Sequence, residues 1–184
     1  MTESEPRFAE YAAPDRLVST AWVAAHLDAR YDKGGALAAS GQVHGSVLDT
    51  MLDHPFFDAP APKSLDRADF TVQPARGLSA ADGAATLTAF TAATVALAID
   101  QLPARPRRLL VAGGGRHNPV MLRMIAERCG LVPEPVDPLG WNGDALEAEG
   151  FAYMAARSLK RLPISFPGTT GVPQPLTGGT VNRP

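Results

Sequence analysis

Three consecutive glycines at positions 113–115 separate a short apolar run from a stretch with helical spacing, and this feature most constrains the fold. The apolar run at 109–112 is typical of a buried parallel strand, and residues 119–129 predict the helix that follows it. A strand, a glycine turn and a helix in this order bring backbone N–H groups to a point where an anion or nucleotide can lie against the main chain. A tight turn that only close packing requires is an interpretation of about equal weight.

The spacing of these glycines differs from both common nucleotide motifs. A dinucleotide fingerprint needs glycines at positions one, three and six and an acidic residue about 20 positions later, whereas the pattern here is GGGxxN. A Walker A loop ends in Gly-Lys-Ser/Thr, and that ending does not follow these glycines. The pattern therefore disfavours a Rossmann-type oxidoreductase. From the residues alone, the choice between a nucleotide contact and a tight turn stays open.

Composition limits the class of partner. The chain has 184 residues, a hydrophobic content of 45% and a formal net charge of −2, so we expect no broad basic surface for nucleic acid or anionic membranes. The one cysteine, Cys129, excludes an internal disulfide framework and favours a reducing compartment. The N-terminal residues do not resemble a signal peptide, and no run of about 18 apolar residues is expected to span a bilayer. We expect a cytoplasmic protein with a small-molecule ligand.

Hydrophobic periodicity predicts a helix-rich chain with a small sheet. The polar residues 1–16 predict a flexible arm. The helices predicted from apolar spacing lie at about 17–29, 44–52, 79–102, 119–129 and 143–162. Ser79 is the expected N-cap of the longest of them. A second short strand is expected around Val136 and parallel to the strand at 108–112, with the helix at 119–129 as the crossover.

Six separate segments of the chain resemble one family. LLVAGGGRHNPVMLRMIA, NGDALEAEGFAYMAARSL and LPISFPGTTGVPQPLTGGTVNRP are similar to the C-terminal half of the anhydro-N-acetylmuramic acid kinases. YDKGGALAASGQV, HPFFDAPAPKS and ATLTAFTA agree with that family upstream. The resemblance covers about residues 17–184. It implies an α/β fold: one actin-like (ribonuclease H-like) kinase lobe of the acetate/sugar kinase, Hsc70 and actin superfamily, helix-rich with a small, partly parallel sheet.

The resemblance also implies a reaction. The family phosphorylates 1,6-anhydro-N-acetylmuramic acid with ATP while water opens the anhydro bridge, which gives N-acetylmuramic acid 6-phosphate in peptidoglycan recycling. The implied cofactors are ATP and Mg²⁺, and the magnesium would arrive with ATP rather than sit in a protein cage. The implied nucleotide-binding residues are Gly113, Gly114 and Gly115. Glu147 is expected to hydrogen-bond the sugar. Asn118 is expected either to bind substrate or to cap the following helix.

Two parts of the family pattern have no counterpart in this sequence. One is the GTSxDG-like phosphate-binding turn of the family's first lobe. The other is the DTGPGN-like segment, whose position falls on YAAPDR at 11–16, so that Tyr11 stands where the family has its expected general-base aspartate. Asp15 is nearby but out of register. We therefore assign no catalytic residue and expect the chain to be inactive by itself.

Three further residues are candidates for the site. Lys63 and Ser64 match a PKS loop that lies near the family's inter-lobe cleft, although a lone loop lysine is more often exposed. His117 follows the glycines and could approach a phosphate, although a surface histidine on a turn is the commoner case. The histidines have no metal-ligand spacing, so we predict no metal site.

Four functions remain in competition. The first is a kinase lobe that keeps its nucleotide and sugar surfaces, and the second is a non-catalytic binding or oligomerisation protein derived from that lobe. The third is an enzyme whose other lobe is a separate chain. The fourth is a Rossmann-type oxidoreductase. If a second lobe normally covers the cleft, we expect an exposed apolar patch and self-association, for example as a homodimer.

Overall fold

The computed structural model describes residues 31–63 and 70–182. The expected features that lie outside these residues are the arm at 1–16, the helix at 17–29, Tyr11, Asp15 and Ser64.

Helices dominate the described residues, and one two-stranded parallel sheet accompanies them. In chain order the elements are α1 Ala36–Ser40, α2 Gly45–Leu52, α3 Pro55–Asp58, α4 Ala80–Asp100, β1 Leu109–Val111, α5 Pro119–Cys129, β2 Pro133–Pro135, α6 Leu146–Leu159 and α7 Pro167–Thr170. Short 3₁₀ turns lie at Lys33–Gly35, Gln73–Ala75, Gly114–His117 and Asp137–Leu139. The sequence therefore predicted the class correctly, as an α/β protein with many helices and little sheet.

The long helix α4 forms the centre of the molecule. It begins where predicted, because the hydroxyl of Ser79 accepts a hydrogen bond from the backbone N–H of Asp82 at 3.1 Å. Its many small side chains let neighbouring chain segments approach closely, and Gly41 lies so near the carbonyl of Ala81 that a Cβ atom there would overlap it. Helices α1, α2 and α5 all pack against α4. The buried hydrophobic core is therefore built around this one helix.

Aromatic rings fill the core between α4 and the residues at 54–57 and 70. The rings of Phe57 and Phe70 are stacked at a centroid distance of 5.7 Å, and Phe90 of α4 meets Phe70 edge-on at 5.4 Å. Offset and edge-on rings at such distances are favourable geometries. These contacts hold Phe57 and Phe70 against α4.

The apolar character of α4 corrects one expectation from the sequence. Its 21 residues are long and apolar enough to cross a membrane by length and composition, whereas no such stretch was expected. Within the protein, 56% of its most apolar window is buried. A core helix of a folded domain passes the same test, so this helix is weak evidence for a membrane span.

Strands β1 and β2 are parallel, as predicted, with Leu109 opposite Pro133. The second strand ends at Pro135, so Val136 lies just beyond it, although its N–H still donates to the carbonyl of Val111 at 3.1 Å. The expectation of a buried β1 was wrong, because Leu110 is exposed. Side chains alternate between the two faces of a strand. Leu109 packs with the buried residues of α4 and α5, and Leu110 points to the other face.

Helix α6 is shorter than predicted and packs loosely. The side chain of Asn142 accepts hydrogen bonds from the N–H groups of Asp144 and Ala145 at 3.0 and 3.2 Å. This turn delays the helix start until Leu146. No described residue from 146 to 182 is buried. The tail is irregular apart from α7 and one bridge between Ser165 and Leu176, much as its proline and glycine content suggests.

Candidate functional site

A cavity of about 730 Å³ lies between α4, the turn at Lys33–Gly35 and the turn at Gly114–His117. This volume is in the range of sites for small molecules. Its lining residues are Tyr31, Asp32, Lys33, Gly34, Ala84, Leu87, Thr88, Thr91, Gly114, Gly115, His117, Asn118 and Met121. The structure thus brings three residues of the predicted site, Gly114, Gly115 and Asn118, to one cavity.

The three glycines of the turn have different structural roles. Gly113 has φ 74° and ψ 177°, a backbone conformation that side chains strongly disfavour. Gly114 has no such conformation, and a Cβ atom there would meet nothing within 4 Å. At Gly115 the nearest atom to a Cβ would be the sulfur of Met121 at 3.5 Å, an ordinary contact. The backbone conformation therefore explains the glycine at 113, whereas neither conformation nor close packing with the described residues requires a glycine at 114 or 115.

The backbone donors of this turn are available at the cavity. Within the part of the chain that the structure describes, the N–H groups of Gly114 and Gly115 have no hydrogen-bond acceptor. Without side chains at these positions, a ligand can approach both N–H groups. Successive N–H groups in a turn form a concave site that suits an anion.

A second glycine turn faces the first, and sequence analysis did not include it in the site. Gly34 and Gly35 have φ values of 66° and 72°, in the left-handed region. A Cβ atom on Gly35 would lie 2.8 Å from Cβ of Val120, so this glycine lets the turn pack on the start of α5. The carboxylate of Asp32, just before the turn, accepts hydrogen bonds from two backbone N–H groups of α1 at 2.9 and 3.0 Å. The sequence signal for this turn is the pair of glycines in DKGG.

Asn118 caps α5. Its side-chain oxygen accepts hydrogen bonds from the N–H groups of Val120 and Met121 at 3.1 and 3.0 Å. The capping interpretation of this residue is therefore observed. Its contact with a substrate stays a prediction.

Arg116, which sequence analysis did not single out, is the most extensively bonded side chain at the turn. Its side chain is only 4% exposed. It donates to the carboxylate of Asp137 at 2.8 and 3.1 Å, to that of Asp144 at 2.6 and 2.8 Å, and to the carbonyl of Gly113 at 3.0 Å. Two bidentate carboxylate pairs on one guanidinium are strong, directional contacts. We call Arg116, Asp137 and Asp144 the arginine cluster.

The arginine cluster shifts the ionisation of its own members. Hydrogen bonds from Arg116 lower the pKa of Asp144 to about 2, and the nearby His117 ring contributes in the same direction. The same guanidinium lowers the pKa of Asp137. The bonds to Asp144 and Asp137 raise the pKa of Arg116. Both carboxylates and the guanidinium are therefore charged across the physiological pH range.

Two other predicted residues lie away from this cavity. Glu147 is exposed in the first turn of α6 and does not line the cavity. Lys63 is half-buried rather than exposed, because its ammonium donates to the carbonyls of Phe56 and Phe57 at 2.8 and 3.0 Å. It lines a separate cavity of about 340 Å³ whose lining includes four phenylalanines. Across residues 31–63 and 70–182, no group of three or more His, Cys, Asp or Glu side chains is arranged to hold a metal ion.

A helix-rich domain with a small parallel sheet and a glycine turn beside a cavity fits an α/β kinase-like fold. Comparison with known proteins gives a more specific assignment. The family model for anhydro-N-acetylmuramic acid kinase matches residues 4–183, and the chain belongs to this family.

Individual relatives agree with this assignment. The anhydro-N-acetylmuramic acid kinase of Rhizorhabdus wittichii is 68% identical over 163 residues, which are 89% of this chain and 45% of that protein. The kinase of the same name from Brucella anthropi is 58% identical over 80% of this chain and 40% of its own length. The one from Rhodospirillum rubrum is 47% identical over 96% of this chain and 47% of its own length. The chain thus spans a little under half the length of these relatives.

Proposed function

We propose that this chain is the actin-like, nucleotide- and sugar-binding lobe of a cytoplasmic kinase that acts on 1,6-anhydro-N-acetylmuramic acid in peptidoglycan recycling. The observation that carries the proposal is the pair of N–H groups at Gly114 and Gly115, which have no acceptor among the described residues and belong to residues that line a cavity of suitable size. Family membership supports the same reading of this turn.

The groups around the cavity fit a nucleotide chemically. The two glycine N–H groups, the ammonium of Lys33 and the ring of His117 are donors suited to phosphate oxygens. Lys33 forms no ion pair with any residue that the structure describes. Apolar side chains of α4 and α5, among them Leu87 and Met121, form the wall against which a base or ribose would pack.

ATP would supply the transferred phosphoryl group, and Mg²⁺ would accompany its phosphates. The residues of this chain would bind and orient the nucleotide. The carboxylate of Asp32 is already engaged with backbone N–H groups. This engagement is consistent with magnesium that arrives on the nucleotide rather than in a preformed protein site.

We further propose that the chain alone does not turn over. Phosphoryl transfer depends on placing the nucleotide, the metal and an activated nucleophile together. The family's phosphate-binding turn has no counterpart in this sequence, and Tyr11 stands at the expected general-base position. Loss of a general base alone typically lowers a rate by about 10²–10⁴-fold.

Calorimetric titration of the chain with ADP, ATP and NAD, with and without Mg²⁺, tests nucleotide binding. We expect ADP and ATP to bind and NAD not to bind. Gly114→Val should abolish the binding without lowering the melting temperature, because its side chain would project into open space at the cavity. Gly45→Val is the matched control, since Gly45 also has open space and lies outside the cavity lining. Absence of adenine-nucleotide binding by the unmodified chain would reject the proposal.

A mass-spectrometric assay tests the inactivity. The chain is incubated with ATP, Mg²⁺ and 1,6-anhydro-N-acetylmuramic acid, and the 6-phosphate product is sought. We expect none above background. Turnover at a rate of about 1 s⁻¹ or more, the range of active kinases, would show that another residue, such as Asp15, serves as the base.

A non-catalytic binding or oligomerisation role is the second candidate, and the surface of α6 favours it. Phe151, Tyr153 and Leu159 are all large, apolar and exposed on this one helix. Large exposed apolar side chains that come together in a patch mark interaction sites, and these three are the candidates for one on α6. Light scattering that shows a clean monomer at high concentration would reject self-association. That result would leave the kinase-lobe proposal in place if the chain binds nucleotide.

A further inference from the structure

Arg116 joins three segments that are far apart in the sequence. Its guanidinium contacts the carbonyl of Gly113 in the glycine turn, Asp137 just after β2, and Asp144 just before α6. The two carboxylates lie 21 and 28 residues away along the chain. No other side chain in the described ranges bonds to all three segments.

The bonding of Arg116 is complete. A guanidinium has five N–H donors. Nε donates to Asp137, Nη1 to Gly113 and Asp144, and Nη2 to both carboxylates. No donor is left over for a ligand. Any influence of Arg116 on ligand binding must therefore act through the segments that it holds.

A second contact joins the same segments. The N–H of Gly113 donates to the carbonyl of Gly143 at 2.7 Å. Gly143 itself lies against the guanidinium, and a Cβ atom there would come within 2.7 Å of Cζ of Arg116. The glycine turn and the segment before α6 are therefore fixed to each other by both backbone and side chain.

We propose that Arg116 is a positioning residue that holds the glycine turn and the start of α6 as one unit. Asp144 lies three residues before Glu147, the residue expected to bind the sugar. The arginine cluster thus sets the distance between the nucleotide at Gly114 and Gly115 and the sugar at Glu147. The effect on nucleotide and sugar placement rests on the proposed function. The physical link between the glycine turn and the start of α6 does not.

Arg116→Lys tests the proposal, with Arg108→Lys as the matched control. Lysine keeps the positive charge but cannot reproduce the five-bond geometry. Arg108 also forms a bidentate pair, with Glu134 at 2.6 to 3.2 Å, but it precedes β1, at the other end of the strand from the glycine turn. We expect Arg116→Lys to weaken ADP binding by about tenfold or more, because small displacements of a binding group are costly. Arg108→Lys should leave ADP affinity unchanged.

Hydrogen exchange supplies a readout that needs no ligand. In Arg116→Lys, the amides at 113–115 and at 143–147 should exchange faster together and by a similar factor. In Arg108→Lys neither segment should change. If only one of the two segments responds, or if ADP affinity is unchanged while the chain binds ADP, the positioning role is rejected. If the unmodified chain binds no ADP, the proposed function fails. The exchange result then still decides whether Arg116 holds the two segments together.

Asp144→Asn serves as the second variant if the lysine variant does not fold. It keeps Arg116 bonded to Asp137 and Gly113 and weakens only the link to α6. We then expect faster exchange at 143–147 and a smaller loss of ADP affinity than with Arg116→Lys. Unchanged exchange at 143–147 would reject the role.

Discussion

The helical core around α4 and the region from Gly143 to the tail are held together by different forces. In the core, helices α1, α2 and α5 pack on α4, and ten residues of α4 are buried. From 146 to 182 no described residue is buried, and α6 is fixed through polar contacts at its two ends. In the last turn of α6, Ser158 donates to the carbonyl of Gly178 at 2.6 Å, and Arg157 donates to the carbonyl of Pro163.

This difference separates stability from recognition. Burial of apolar surface is the dominant stabilising force, so the free energy of unfolding should reside mainly in the α4 core. The second region contributes Asp144 of the arginine cluster and Glu147, which concern ligand placement. Substitutions in the two regions should therefore change different measured quantities.

Replacing a phenylalanine by alanine in each region gives the largest expected difference in the free energy of unfolding. Phe90 is 5% exposed and contacts the rings of Phe57 and Phe70, so Phe90→Ala should lower the free energy of unfolding by about 3–5 kcal/mol. Phe151 on α6 is 61% exposed, and Phe151→Ala should change the free energy of unfolding by no more than about 0.5 kcal/mol. Urea unfolding measures both. A cost above 2 kcal/mol at Phe151, on the scale of core truncations, would mean that α6 is covered in solution.

Gly143→Ala should give an intermediate effect at the boundary between the regions. The new methyl group would collide with the guanidinium of Arg116, and overpacking of this kind costs about 1–3 kcal/mol. Gly114→Ala is the control, because a Cβ atom there meets nothing within 4 Å. Thermal unfolding followed by circular dichroism compares them. Equal melting temperatures would show that Arg116 is not packed on Gly143.

Acid should weaken the arginine cluster before it affects the apolar core. The pKa of Asp144 is lowered from its ordinary 3.8 to about 2 by hydrogen bonds from Arg116. A lowered carboxyl pKa adds stability that is complete above the unfolded value and is lost as the pH falls through the folded value. The contribution should therefore disappear between about pH 4 and pH 2.

Melting temperatures measured across that interval test this prediction. Asp144→Asn should show a smaller fall than the unmodified chain, because its side chain does not titrate. Parallel curves for the two proteins would contradict the assigned cause.

Gly150→Ala should give the smallest of these changes, and its sign should be favourable. Gly150 lies within α6, has open space around its Cβ position and lacks a positive φ. Alanine is favoured over glycine inside a helix by about 1 kcal/mol. The melting temperature should rise, whereas the ADP affinity should stay constant. A fall in stability would mean that another surface covers this face of α6.

Local patterns in the sequence were sufficient for helix α4 and for the strand, glycine turn and helix at 109–129. The cap at Ser79 and the small apolar residues of α4 are neighbours in sequence, and so are the strand, glycines and helix at 109–129. Family resemblance added the contact of the glycine turn with a nucleotide, which stays a prediction. These features depend on interactions within a few residues, which single-sequence patterns capture.

The remaining features depend on long-range contacts. An arginine within a glycine turn is ordinarily an exposed residue, and nothing near Arg116 in sequence indicates that its partners follow 21 and 28 positions later. The approach of Gly35 to Val120 spans a similarly long separation. The exposure of Leu110 depends on which elements cover the sheet, and no local pattern encodes that.

The single thiol of the chain lies in the packed region between α4 and α5. Cys129 is 3% exposed, and burial raises the pKa of its thiol. Because the thiolate is the reactive form, this sulfur should resist alkylating dyes under native conditions. The protein therefore accepts a fluorophore at any new surface cysteine without prior removal of the native one. A labelled pair of such cysteines, one beside each glycine turn, would report the width of the cavity directly by energy transfer.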